Sequence, residues 1–157
     1  MLDQADFISV FGVSNNGLII QEFKHNMRRI GKMVEIVNQQ GELVYAAGSL
    51  PPNFCAVIVS YSGETPVYHN ILDVLKENQV PVLGITSIGD NTVSKGSDIV
   101  LRLCTREKLY SKIGTFCTDA SIEYLLHVLY AVELEYKTEN SNRGSSLPNL
   151  CHRTILS

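Results

Sequence analysis

The sequence predicts an α/β fold, a three-layer α/β/α sandwich around a five-stranded parallel sheet. Short apolar runs of strand length alternate along the chain with longer segments whose apolar residues recur at helical spacing. Such alternation is typical of parallel strands whose crossover helices cover both faces of the sheet. The 157 residues, 45% hydrophobic and 18% charged, fit one globular domain with a substantial core.

The predicted strands are short apolar runs, and the predicted helices lie between and after them. We assign the strands to Phe7–Phe11, Met33–Val37, Cys55–Val59, Val82–Ile85 and Ile99–Leu103. We assign the helices to Leu18–Ile30, Glu42–Ala47, Pro66–Glu77, Thr92–Lys95 and Thr115–Lys137. One domain is therefore expected over residues 1–137, and the polar, aperiodic residues 138–157 are expected to form a flexible tail.

The last predicted helix is apolar on more than one face, which indicates burial on more than one side. One side would meet the sheet. The other side either packs deeply within the chain or meets a second subunit, and the pattern favours a homodimer or a higher homo-oligomer.

Composition excludes several classes of function. A formal net charge of −3 and a pI near 5.8 argue against nucleic-acid binding by this segment alone. No apolar stretch is long enough to cross a membrane, and the start MLDQADF lacks signal-peptide features, so we expect a cytoplasmic protein. The four cysteines have no CxxC spacing, so we expect no metal and no cofactor. Apart from Cys151 in the tail, they are expected to be small buried apolar residues.

Three polar loops follow predicted strands, at residues 12–17, 60–65 and 86–91. In an open parallel sheet, ligands bind beyond the carboxyl ends of the strands, so these loops should meet at one edge. Hydroxyls of Ser60, Ser62, Thr65 and Ser87 can donate hydrogen bonds to phosphate oxygens. The starts of the following helices also favour an anion.

Each loop also has a purely structural explanation. Thr65 before Pro66 is a good helix N-cap, and Asp90 or Asn91 could cap the short helix that follows. A dinucleotide site is disfavoured because Ser14 stands where the middle glycine of the fingerprint should be. Three polar loops at one edge favour ligand binding over capping alone.

Catalysis by a serine nucleophile would need a neighbouring base. His69 lies opposite the apolar stripe of its helix and is expected to be solvated. Glu64 and Glu107 are the plausible carboxylates near the loops, and surface charge is the favoured role for each.

The chain resembles the SIS (sugar isomerase) domain, a phosphosugar-binding module with a flavodoxin-like or Rossmann-like sheet. The resemblance rests on SYSGET at 60–65 after an apolar strand and on GITS at 84–87. MRRIGK at 27–32, TSIGDN at 86–91 and KIGTF at 112–116 are most similar to RpiR-type bacterial transcription regulators.

The resemblance implies a sugar-phosphate site made by Ser60, Tyr61, Ser62, Thr65 and Ser87, together with the first loop. That first loop contributes Ser14, Asn15 and Asn16. Ser14 replaces a glycine of the family pattern and Asn16 replaces a serine, which would alter phosphate affinity or the choice of sugar.

Three functions follow as hypotheses. The favoured one is the effector-sensing domain of an RpiR-type regulator, without its N-terminal helix-turn-helix domain, so that DNA contact would belong to a domain absent from this chain. The alternative is an aldose–ketose isomerase that uses Glu64 or Glu107 as its base. The third is an interaction module whose ligand site has decayed.

Overall fold

The computed structural model describes residues 1–12, 17–104 and 116–144. Five parallel strands form one sheet in the order β2-β1-β3-β4-β5. The strands are β1 (Phe7–Gly12), β2 (Met33–Val37), β3 (Phe54–Val59), β4 (Val82–Ser87) and β5 (Ile99–Leu103). The helices are α1 (Gly17–Arg29), α2 (Leu43–Gly48), α3 (Val67–Glu77), α4 (Thr92–Gly96) and α5 (Phe116–Gly144), and a 3₁₀ turn spans Leu2–Gln4. The predicted fold class is confirmed.

Two hydrophobic cores lie on opposite faces of the sheet. Because successive strand residues point to opposite faces, Val57 and Val59 of β3 enter one core and Ala56 and Ile58 enter the other. The first core packs against α1 and α5, and the second packs against α2, α3 and α4. The three layers therefore follow from apolar residues at consecutive positions of the central strand.

The sheet has one topological switch point, between β1 and β3. The chain moves from β1 outward to β2 and then returns to the other side of β1 to form β3. The connections after β1 and β3 therefore diverge at the carboxyl edge of the sheet, where open α/β sheets have their ligand crevice. The fold thus brings the polar loops at residues 60–65 and 86–91 to the expected edge, and residues 13–16 of the first loop lie outside the described residues.

Helix α5 differs from the prediction at its end and on its outer face. It continues to Gly144, so residues 138–144 are helical where a flexible tail was expected. The buried face carries Ile122 and Leu126, whereas Tyr124, Val128 and Val132 are exposed. The alternative in which this helix is sandwiched on all sides within one chain is therefore wrong for the described residues.

The cysteines are less uniformly buried than the composition suggested. Cys55 is buried in β3, and this burial raises the pKa of its thiol to about 12. Cys104 and Cys117 are exposed, so the prediction of small buried residues is wrong for these two. None of the described helices is long and apolar enough to cross a bilayer.

Candidate functional site

The loop from β3 to α3 is held in shape by its own hydroxyls. The Gly63 amide donates to Ser60 Oγ at 3.1 Å, and the Glu64 amide donates to Ser62 Oγ at 3.4 Å. Gly63 has a φ of 65°, a left-handed conformation that favours glycine. The loop is therefore a tight turn in which Ser60 fixes the backbone from a largely buried position.

This loop is joined to the neighbouring loop, which connects β4 to α4. The Ser87 amide donates to the Tyr61 carbonyl at 3.0 Å, and Thr86 Oγ1 donates to the same carbonyl at 3.4 Å. Further along, the Val93 amide donates to the Gly63 carbonyl at 3.1 Å. The two loops thus form one preassembled unit at the carboxyl edge of the sheet.

Gly63 lies so close to the second loop that a side chain would not fit. A Cβ built at Gly63 would overlap the Asn91 side chain and lie 2.6 Å from Thr86 Oγ1. Asn91 itself caps α4, since Ser94 N donates to Asn91 Oδ1 at 2.8 Å and Asn91 N donates to Ser94 Oγ at 2.9 Å. The predicted cap by Asn91 is confirmed.

Thr65 makes no cap hydrogen bond. The residue at the N-cap of α3 is Pro66, and the cap has no side-chain hydrogen bond. Within the described part of the chain, Thr65 contributes only its carbonyl, which accepts a hydrogen bond from the Tyr68 amide at 2.9 Å. The predicted capping role of the Thr65 hydroxyl is therefore wrong, and its hydroxyl remains available to a ligand.

A second link between the loops runs through Thr92, the first residue of α4. The Thr92 amide donates to Glu64 Oε1 at 3.0 Å, and Thr92 Oγ1 donates to Glu64 Oε2 at 2.9 Å. His69 Nε2 lies 3.1 Å from Thr92 Oγ1. Because the single hydroxyl proton of Thr92 goes to Glu64, His69 must donate its Nε2–H to Thr92.

Sequence reasoning missed this chain of three residues and placed His69 simply in solvent. His69 is exposed, but its ring is directed to the start of α4. The sequence spacing of Glu64, His69 and Thr92 does not predict that they meet, because the contact forms only when α3 and α4 pack side by side. Their polarity was the only available signal.

Arg102 braces the second loop from the neighbouring strand. Its Nη1 donates to the Ser87 carbonyl at 2.9 Å and to the Gly89 carbonyl at 2.6 Å. A guanidinium presents several donors in a fixed plane, so one side chain can hold two carbonyls of the same turn. Arg102, on β5, was not identified from the sequence.

A cleft of about 500 Å³ opens between the two loops. Its polar wall is made by Ser62, Glu64, Thr65, Ser87, Asp90 and Asn91, and Pro66 and Ile88 complete it. The structure therefore brings together Ser62, Thr65 and Ser87 of the predicted ligand-binding residues. Ser60 and Tyr61 are not on this wall. Ser14, Asn15, Asn16 and Glu107 lie outside the described residues.

The cleft offers hydrogen-bond donors rather than cationic side chains. Three hydroxyls line it, and α3 begins beside it at Val67 with the positive end of its dipole. Among the described residues on the wall there is no lysine or arginine. An anion could therefore be held by hydroxyls and backbone N–H groups, as in other helix-start anion sites.

A separate group of ligand-type side chains joins α1 to α5. Ligand atoms of Glu22, Glu123 and His127 lie within 4.8 Å of one another, and all three residues are exposed. His127 Nε2 is 3.3 Å from Glu22 Oε1. This arrangement is a surface charge cluster, and exposed groups of this kind are strongly hydrated.

The sequence profile of the SIS domain matches residues 1–128, so the chain belongs to the SIS domain family. A relative from Thermotoga maritima, described as an uncharacterized HTH-type transcriptional regulator, is 27% identical over 149 residues. The match covers 92% of this chain and 52% of the relative, so the chain spans about half of that protein.

Solved structures share the fold. The Vibrio vulnificus NanR protein, complexed with ManNAc-6P, superposes with a TM-score of 0.79 and 23% identity, covering 90% of this chain and 53% of NanR. The sugar isomerase domain of an RpiR transcription factor from Sphaerobacter thermophilus gives a TM-score of 0.68 and 19% identity, covering 93% of this chain and 82% of that one. The predicted resemblance to an SIS domain, with regulators among its relatives, is confirmed.

Proposed function

We propose that this SIS domain binds a sugar phosphate as the effector-sensing domain of an RpiR-type transcription regulator. The observation that carries the proposal is the cleft at the carboxyl edge of the sheet, where Ser62, Thr65 and Ser87 face one space beside the start of α3. Their hydroxyls and the helix start would hold the phosphate. Ser60 and Tyr61 would shape the loop, and Ser14, Asn15 and Asn16 would close the site from the β1–α1 loop.

The bonding of Glu64 favours a sensor over an isomerase. An isomerase needs a carboxylate that is free to remove a proton from the sugar. Both oxygens of Glu64 accept hydrogen bonds from Thr92, and His69 is engaged with the same hydroxyl. The acid–base groups beside the cleft therefore hold the loops together, although isomerase activity by Glu64 or Glu107 is the second candidate.

The expected affinity is modest. Three charge-assisted hydrogen bonds contribute about 1.5–3 kcal/mol each. The loss of translational and rotational freedom offsets much of this. Dissociation constants of roughly micromolar to millimolar follow, which suits a sensor of a metabolite at comparable concentration.

Thermal shift against hexose, pentose and N-acetylhexosamine phosphates tests the proposal. At least one phosphate should raise the melting temperature, and its unphosphorylated sugar should not. Ser62→Ala should abolish the shift, and the matched control Ser49→Ala, an exposed serine at the end of α2, should keep it. No response to any phosphate would favour the decayed module, and conversion of the stabilising ligand to its ketose or aldose partner would establish the isomerase.

We also propose that α5 forms a homodimer contact. Its exposed face carries Ala120, Tyr124, Val128, Ala131 and Val132, which recur at helical spacing without an intervening charge on that strip. A second copy of the same uncharged strip is its natural complement. Light scattering should give a dimer for the wild type and a monomer for Val128→Asp, whereas a monomeric wild type would refute the contact.

DNA binding is assigned to a part outside this chain. The chain spans about half of the Thermotoga regulator, and its net charge of −3 does not favour phosphate-backbone contact. In the proposed regulator, an N-terminal helix-turn-helix domain would contact DNA, and the sugar phosphate would bias its arrangement through the SIS dimer.

A further inference from the structure

The cleft between the two loops carries two carboxylates, and the loops use one of them. Both oxygens of Glu64 accept hydrogen bonds from Thr92, at 3.0 and 2.9 Å. The Asp90 carboxylate lies on the same wall, and it has no hydrogen bond or ion pair with any described residue. Asp90 therefore keeps its full capacity to accept hydrogen bonds from a ligand.

The backbone on both sides of Asp90 is held in place. Before it, the Gly89 carbonyl accepts a hydrogen bond from Arg102 Nη1 at 2.6 Å. After it, the buried Asn91 caps α4 through its two hydrogen bonds with Ser94. The Asp90 side chain is thus presented to the cleft from a fixed point of the turn, as a selective contact to a ligand requires.

The balance of charge in the cleft limits which sugar phosphates fit. The described wall carries the carboxylates of Glu64 and Asp90 and has no lysine or arginine. Arg102 donates to the backbone carbonyls of Ser87 and Gly89 and does not line the cleft. A sugar phosphate brings a further charge of about −1.5 to −2 at neutral pH. Asp90 repels such a ligand unless the ligand also carries a positive group.

The negative and the positive group of such a ligand have separate places in the cleft. Ser62 and Thr65 lie beside the start of α3, whose dipole favours the phosphate. Asp90 belongs to the other loop, three residues after Ser87. The volume of about 500 Å³ is within the range of about 300–1,000 Å³ that small-molecule sites have. One small ligand can therefore reach from the start of α3 to Asp90.

We propose that the ligand is an amino-sugar phosphate with a free ammonium group, and that Asp90 selects it by accepting a hydrogen bond from that group. This inference rests on the sugar-phosphate function proposed above. A hydroxyl at the same position would donate a hydrogen bond without offsetting the charge of Asp90. An acetamido group would lack the positive charge. Asp90 thus determines specificity, whereas Ser62 and Thr65 hold the phosphate.

Calorimetric titration with three hexose phosphates that differ only at C2 tests the proposal. They are glucosamine 6-phosphate, glucose 6-phosphate and N-acetylglucosamine 6-phosphate, and at pH 6.5 the amine of the first is protonated. The wild type should bind glucosamine 6-phosphate about tenfold or more tightly than the other two, as expected for a hydrogen bond between two charged groups.

The possible failures of this inference and of the proposed function give different results. If glucose 6-phosphate or N-acetylglucosamine 6-phosphate binds as tightly as glucosamine 6-phosphate, the amine preference is wrong and the sugar-phosphate site stands. The same holds if a different sugar phosphate binds and none of these three does. If no sugar phosphate binds at all, the proposed function is wrong, and the amine preference is wrong with it.

Two matched variants assign the preference to Asp90. Asp90→Asn should weaken the binding of glucosamine 6-phosphate about tenfold and leave glucose 6-phosphate bound equally or more tightly, because a repulsion is removed. Asp73→Asn, at an exposed position of α3 outside the cleft, should keep the preference. Equal weakening of both ligands in Asp90→Asn would refute the role of Asp90. Since Asp90 is exposed and unbonded among the described residues, Asp90→Asn should melt at the wild-type temperature without ligand.

Discussion

Replacing Gly63 with alanine should disrupt the packing between the β3–α3 loop and the β4–α4 loop. Gly63 has a φ of 65°, and alanine in that conformation costs about 1–2 kcal/mol. The new methyl group would also overlap Asn91 and lie 2.6 Å from Thr86 Oγ1. Displacing Asn91 removes the cap of α4, which costs a further ~0.5–2 kcal/mol. Together these effects predict a loss of about 1.5–4 kcal/mol in the free energy of unfolding.

The assay is thermal and urea denaturation of Gly63→Ala beside Gly31→Ala. Gly31 has a similar φ of 79°, and its new methyl group would meet only the far end of the long Lys137 side chain, 2.9 Å from Nζ, rather than backbone or a helix cap. Gly31→Ala should therefore lose only the backbone contribution of about 1–2 kcal/mol. At about 2–4 °C per kcal/mol, Gly63→Ala should melt roughly 3–16 °C lower than the wild type. Equal destabilisation by the two substitutions would refute the close packing of the loops.

Three further predictions concern other parts of the chain. Thr92→Val should lower the free energy of unfolding by about 1–2 kcal/mol in urea denaturation, because it removes a hydroxyl that donates to the Glu64 carboxylate. Thr92→Ser keeps the hydroxyl and should not lower it. Equal losses in the two variants would contradict the bond between Thr92 and Glu64. In the folded protein, a thiol reagent at pH 8 should label the exposed Cys104 and spare Cys55, because burial raises the pKa of the Cys55 thiol to about 12. Site-resolved mass spectrometry would measure the two labelling rates. Labelling of Cys55 at the same rate as Cys104 would contradict its burial. Lys32→Met should lower the free energy of unfolding by about 3–5 kcal/mol, because it leaves Glu133 buried without a counter-charge. The double variant Lys32→Met/Glu133→Leu should recover part of that loss in urea denaturation. No recovery would contradict the pairing of Lys32 with Glu133.

The strands, and the edge of the sheet at which their polar loops lie, could be predicted because the sequence signals for them are local. The apolar run at Cys55–Val59 is buried on both faces, and such a run bounded by polar residues indicates a central parallel strand. Parallel strands all end at one edge of the sheet. The sequence alone therefore predicts that Ser62 and Ser87 lie close together.

The links within the site could not be predicted because they depend on distant packing. Glu64 and Thr92 meet only after α3 and α4 settle on the same face of the sheet. Arg102 on β5 donates to carbonyls of the loop that follows β4, and no periodic pattern in the sequence indicates that an exposed arginine has this role. Long-range polar contacts of this kind leave no spacing in the sequence.

The end of α5 was misjudged for a different reason. Residues 138–144 are polar and lack apolar periodicity, which is the usual signal of a helix that packs on a core. The helix nevertheless continues to Gly144, because extending an existing helix needs no new nucleus. Lys137 contributes by anchoring this part of α5 to the Ile30 carbonyl.

Calorimetric titration of the wild type and Ser62→Ala with the sugar phosphate that gives the largest thermal shift tests the central claim most directly. The account predicts saturable binding to the wild type, loss of binding in Ser62→Ala with an unchanged circular dichroism spectrum, and unchanged binding in Ser49→Ala. Saturable binding that persists unchanged in Ser62→Ala would contradict the assignment of the phosphate to the cleft between the two loops.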